Sequence, residues 1–234
     1  MKHQIVTRNE WLEARKALLL QEKDFSKQRD KLSAARRELP WVAIEDEYIF
    51  DTNEGVKTLN ELFGKHSQLI IYHFMIGDDW KEGCKSCSFW ADNFNGIDVH
   101  LAHRDISFLA ISRASLSKIN SFKSRMGWDF NWVSSAPSNF NRDFNVSFDP
   151  EDIKSGNATY NYRPMTSEMD ELVGVSVLTK NSNRDIFHTY STFGRGLDLL
   201  NGAYNYIDLT PKGRNERDLS YSMEWLRHHD RYED

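Results

Sequence analysis

A chain of 234 residues, 39% hydrophobic and 28% charged, can bury roughly 70 to 75% of its unfolded surface, which excludes a disordered chain and any need for metals or disulfides to fold. Lys and Arg number 30 against 35 Asp and Glu, for a net charge of -5; with no basic stripe, nucleic acid is not an expected partner. The longest apolar stretch, Leu69 to Met75, is interrupted by His73 and falls far short of the ~20 residues that span a bilayer.

In chain order, Met1 to Trp11 is polar and lacks the apolar core of a secretory leader, so a cytoplasmic protein is expected. Thr7 with Glu10 three residues on forms a capping box, in which each side chain satisfies an otherwise unpaired amide. A helix should start there and run without Gly or Pro to Leu39, before Pro40. Its apolar residues, Leu12, Leu18, Leu19, Phe25, Leu32 and Leu39, make a narrow stripe among charges of both signs. Residues 1–40 therefore read as a helical arm that packs on the main domain or pairs with a second copy as a homodimer.

Residues 41–234 read as that main domain. A strand is expected over Trp41 to Phe50, turn residues over Asp51 to Gly55, and a short helix over Leu59 to Phe63. Leu69 to Met75 is a continuous apolar strand of the kind covered on both faces. The loop Gly77 to Gly83 leads to a helix over Ser86 to Phe94. Ile106 to Ile111 and Trp132 to Ser134 are further strands, with a helix at Leu116 to Met126 between them. Residues 137–169, rich in Asn, Ser and aromatics, have no clean period and read as an irregular insertion. Leu172 to Thr179 and Asp185 to Thr192 form a hairpin, and Gly196 to Tyr206 a closing helix. The order is an α/β plan with a mixed sheet.

The cysteine count is two, Cys84 and Cys87. A pair separated by two residues after a strand and loop, at a helix start, reads as a redox pair. Free amides at the helix start favour a thiolate, drawing the first cysteine from about 8.5 toward 7 or below, and Lys81 and Lys85 stand close in sequence. Cys84 is then the nucleophile and Cys87, one turn on, the resolving thiol. A zinc reading exists beside it: His100 and His103 complete Cys-x2-Cys-x12-His-x2-His, although the histidine spacing is one short and Ala91 stands where a finger buries an aromatic. An inert buried pair is the third reading. The attacking-cysteine motif of peroxiredoxins, Pro-x-x-x-Thr or Ser-x-x-Cys, is absent, since Gly77 and Lys81 occupy those positions before Cys84 and Trp80 and Cys84 before Cys87.

The strand, Cys-x-x-Cys and helix order resembles the thioredoxin-like superfamily. More closely, the chain resembles the DUF899 family of predicted dithiol-disulfide oxidoreductases, through Trp11-Leu12-Glu13-Ala14-Arg15, Arg36-Arg37-Glu38-Leu39-Pro40-Trp41, Tyr72-His73-Phe74-Met75, Cys84 to Asn93, His188-Thr189-Tyr190-Ser191-Thr192 and Tyr204-Asn205-Tyr206. The resemblance implies a thioredoxin-like three-layer sandwich with a mixed sheet and a long N-terminal helical arm, and redox chemistry at Cys84 and Cys87. It names no substrate. Thioredoxins place Trp before the pair and Gly-Pro within it, where this chain has Gly83 and Lys85-Ser86. They also place a cis-proline before the strand facing the disulfide; Leu172-Val173-Gly174 offers none.

His73, just before the active loop, is a candidate for proton transfer to Cys87, against the plainer role of a satisfied core histidine. Trp80, with Asp78 and Asp79, is a candidate for the entrance. His188, Tyr190 and Arg195 are candidates to line a pocket if the hairpin faces the cysteine helix; Gly-x-Gly around Arg195 is no phosphate loop. The expected activity is thiol-disulfide exchange without a bound cofactor, with a disulfide-containing substrate and an external thiol donor as partners. The competing class is a thioredoxin-like module that binds a partner or senses oxidation.

Overall fold

The computed structural model describes residues 3–165 and 167–233, and the chain divides into two compact units, Met1–Pro40 and Trp41–Asp234. The first unit is built on α1 (Arg8–Arg37), which begins at the Thr7–Glu10 capping box and places Arg36 and Arg37 in its last turn, where cations suit the dipole. Ion pairs Arg15–Glu22 and Lys16–Glu13 run along it. No helix among the described residues is long and apolar enough to cross a membrane.

The second unit opens with a departure from the sequence reading. Trp41 to Phe50 is not one strand: β1 (Val42–Ala43) pairs with one edge of the sheet, while β2 (Ile49–Thr52) lies near the other edge and forms a hairpin with β3 (Gly55–Thr58). The supposed turn thereby contributes Asp51, Thr52 and Gly55 to strands. Next come α2 (Leu59–Leu62), β4 (Gln68–His73), α3 (Lys85–Ala91), α4 (Asp98–Ala102), β5 (Ile106–Ser112), α5 (Leu116–Arg125) and β6 (Trp132–Ser134). The irregular stretch holds short pieces, α6 (Phe140–Asp143), α7 (Pro150–Ser155) and the small ladder of β7 (Thr159–Tyr160) with β8 (Arg163–Pro164). Then follow β9 (Gly174–Lys180) and β10 (Ile186–Phe193). The closing helix is broken: a 3-10 helix, Gly194–Leu200, gives way at Asn201, whose ψ is 102°, to α8 (Gly202–Asp208). The Asn201 side chain accepts from the Tyr204 amide at 2.9 Å and so caps α8.

Eight strands form one mixed sheet in the order β1-β10-β9-β4-β5-β6-β2-β3. β4, β5 and β6 are parallel, and β9 and β10 join antiparallel. The run β10-β9-β4-β5, with α3 after β4 and α8 beyond β10, is the thioredoxin-like arrangement.

Alternation along β4 divides the interior. Tyr72 belongs to the core under α3 and α5 with Phe74, Trp90, Ile119 and Phe122, whereas Leu69 and Ile71 belong to the core on the opposite face with Leu59, Leu62, Phe140 and Phe144. Helices on both faces make the three layers.

Candidate active site at the cysteine pair

β4 delivers the chain to the cysteines, and three contacts fix it there. The Cys84 amide donates to the Met75 carbonyl at 3.1 Å. Gly83 leaves no room for a side chain, because a Cβ would lie 2.6 Å from Phe122 Cε1 and 2.8 Å from Phe74 Cε1. This packing accounts for glycine where thioredoxins carry tryptophan. From the far end of the chain, buried His228 donates from Nε2 to the Gly83 carbonyl at 2.9 Å, and Arg125 and Arg231 pair with neighbouring Glu82.

Cys84 is the N-cap of α3 and half-buried; Cys87 is buried, and both are free thiols. The two differ in electrostatics. A hydrogen bond from the Cys87 side chain, followed by bonds from the Cys87 and Ser86 amides and the Ser86 hydroxyl, outweighs burial and brings Cys84 down to about 6. Burial pushes the Cys87 thiol up, the contact with Cys84 adds to this, and bonds from the Met75 backbone and the Tyr72 hydroxyl oppose it. Neither Lys81 nor Lys85 figures among the leading causes of the Cys84 shift. Lys85 reaches toward the Glu224 carbonyl at 3.4 Å and the Tyr221 ring instead. The pair therefore has a ready thiolate in front and a protonated thiol behind it.

His73 does not join them. It stacks with Phe140 at 5.9 Å on the other face of the sheet and shares a 2.8 Å hydrogen bond with Ser176. Burial brings its pKa down to about 3, so the ring is neutral. The group that β4 does present to Cys87 is Tyr72, fully buried and 3.4 Å from the Cys87 carbonyl. Sequence alone does not single out Tyr72: strand alternation places it opposite His73, and only the face that α3 covers brings it beside the cysteines.

Trp80 is half-buried in the loop before Cys84 and packs on the same core as that residue. Asp78 accepts from the Ser115 amide at 2.8 Å, fastening the loop to the start of α5. Arg195 lines a hollow that Cys87 also lines. His188 turns away: its Nε2 meets Ser191 Oγ at 2.7 Å, and it lines a separate cavity on the β1 side. Tyr190, half-buried on β10 opposite Val177, is not among the residues of the hollow. His100 and His103 lie exposed on and just after α4, and among the described residues no three His, Cys, Asp or Glu side chains converge on a metal position. The described peptide bonds include none that is cis; where a thioredoxin has cis-proline, Val173 faces the hollow and its carbonyl accepts from Tyr160 Oη at 2.6 Å.

Solved structures with a similar chain path include a cysteine variant of PrxQ from Xylella fastidiosa, with 15% identity over 68% of this chain and 89% of that one and a TM-score of 0.42. Peroxidoxin BcpB from Mycobacterium tuberculosis shares 12% identity over 72% and 97%, with a TM-score of 0.46. Peroxiredoxin Q from Xanthomonas campestris shares 17% over 66% and 87%, with a TM-score of 0.44. No curated protein matches the chain. The cysteine pair, the strand that carries it and the helix that caps it all fall within residues 1–232, which match the model of DUF899, described as bacterial protein of unknown function, and the chain belongs to that family.

Proposed function

We propose that the protein is a thiol-disulfide oxidoreductase, and the observation that carries this is the opposed electrostatics of Cys84 and Cys87. The Cys84 thiolate attacks a substrate disulfide, forming a mixed disulfide and expelling the first substrate thiolate. Cys87 then attacks the Cys84 sulfur: the intramolecular disulfide forms, the second substrate thiolate leaves, and that thiolate takes up the Cys87 proton. Tyr72, whose hydroxyl lies 3.4 Å from the Cys87 carbonyl, turns its proton toward the attacking sulfur and steadies the negative charge there. An external thiol donor reduces the disulfide again, and no step needs a bound cofactor. Two free cysteines of this kind suit a reducing compartment such as the cytoplasm.

The test is turnover of bis(2-hydroxyethyl) disulfide with dithiothreitol as donor, followed by mass analysis of the protein. Wild type should turn over, Cys84→Ser should be inert yet folded, and Cys87→Ser given the disulfide alone, with no dithiothreitol present, should hold one substrate half at Cys84. Wild type no faster than buffer, or a substrate half found on Cys87, overturns the reading in favour of a partner-binding or oxidation-sensing module.

A further inference from the structure

Beside Cys87 lies a hollow of about 180 Å³, walled by Tyr72, Met75, Trp90, Val173, Leu197 and Met223. Its volume exceeds the roughly 150 Å³ cavity that holds a benzene-sized guest. Apolar side chains dominate the wall, with Arg195 and Asp198 also lining it. It adjoins the proposed reaction centre through Cys87, which lines it and is hydrogen-bonded to Cys84.

One wall is held with unusual care. Met223 has φ +68°, a left-handed conformation costly for a side chain of this kind. A single carboxylate oxygen, Glu216 Oε1, accepts from the Met223 amide at 3.2 Å, Tyr204 Oη at 2.8 Å and Trp225 Nε1 at 2.7 Å. These bonds pin the C-terminal segment, and with it the methionine, against the hollow.

We propose that the hollow receives the apolar arm of a small disulfide whose sulfur reacts at Cys84, and that Met223 sets the size of arm accepted. This rests on the thiol-disulfide reading above. The arm occupies space that water fills poorly, and a hydroxyl there finds few partners, so an alkyl disulfide is preferred over its hydroxylated isostere.

The experiment has two arms. In turnover, dipropyl disulfide is compared with bis(2-hydroxyethyl) disulfide, which differs by methyl against hydroxyl at each end; the expected kcat/KM ratio is about tenfold in favour of dipropyl. Met223→Trp, which fills the hollow, should erase that ratio, and Met223→Ala should raise the relative rate of a bulkier bis(cyclohexylmethyl) disulfide. In binding, saturation-transfer NMR on reduced Cys84→Ser, which cannot begin exchange, should show saturable benzyl alcohol and no glycerol, with benzyl alcohol lost in Cys84→Ser/Met223→Trp. Turnover of both disulfides at equal kcat/KM overturns the hollow's role and leaves the redox reading standing. Met223-dependent binding of benzyl alcohol with no disulfide reduced overturns the redox reading and the identity of the guest. Benzyl alcohol bound equally in both variants overturns the role of Met223.

Discussion

Replacing Cys87 with alanine removes the leading support of the Cys84 thiolate, the hydrogen bond from the second thiol. A hydrogen bond to a charged group contributes about 1.5–3 kcal/mol, and one pKa unit corresponds to about 1.36 kcal/mol. Loss of that bond should therefore raise the Cys84 midpoint from about 6 by roughly 1 to 2 units. Two effects on alkylation then oppose each other. At pH 6 the thiolate fraction falls from about one half to roughly 1–10%, while intrinsic nucleophilicity rises about threefold per unit for a Brønsted slope near 0.45. The net rate at pH 6 should drop about two- to sixfold, and at pH 9, where Cys84 is ionised in both proteins, it should rise about three- to eightfold. The pH profiles of wild type and Cys87→Ala should cross. The assay is iodoacetamide labelling of reduced protein from pH 4 to 10, with the modified peptide identified by mass. Profiles that coincide, or a variant slower at both ends, refute the idea that Cys87 holds the Cys84 thiolate.

Gly83→Ala drives a methyl group to 2.6 Å from Phe122 Cε1 and 2.8 Å from Phe74 Cε1, and should cost about 1–3 kcal/mol, read as a lower urea midpoint at unchanged slope; a midpoint equal to wild type contradicts the packing argument. His73 is held neutral, its pKa brought down to about 3 by burial, while the unfolded ring takes a proton near 6.5. Stability it contributes is present above about 6.5 and is lost as pH falls toward 3. His73→Phe should therefore flatten the decline of the urea midpoint between pH 7 and 4, and an unchanged slope speaks against a neutral buried ring.

The place of the cysteine pair between a strand and a helix was legible because its signal is local: two residues, a preceding apolar strand and a following helix. β4 and β5 were legible for a related reason, as apolar runs, and β9 and β10 as a hairpin about the turn residues Asn181, Ser182 and Asn183. What escaped depends on distant partners. Nothing in Trp41 to Phe50 says that its two ends pair near opposite edges of a sheet, because those partners, β10 and β6, lie about 80 to 145 residues away. Tyr72 and His73 are adjacent and both polar-tipped, and the choice between them is made by which face α3 covers. The C-terminal contributions, His228 on Gly83 and Met223 beside Cys87, sit in a segment without periodicity and reach the site only through the tertiary fold.

The split first strand also has a mechanical side. From β1 to β2 the sheet counts six strand-to-strand steps, which laid flat would measure about 28 Å at the usual spacing. The chain from Ala43 to Ile49 has only six residue steps, a reach of at most about 22 Å. The segment acts as a bowstring shorter than its bow, so the sheet is curled. Ile44 and Tyr48 on the string pack into the core on the His73 side, which makes that face concave and turns the convex face toward the cysteines. Their helix therefore sits on the outside of a bend that a short length of chain on the opposite side of the sheet keeps from flattening.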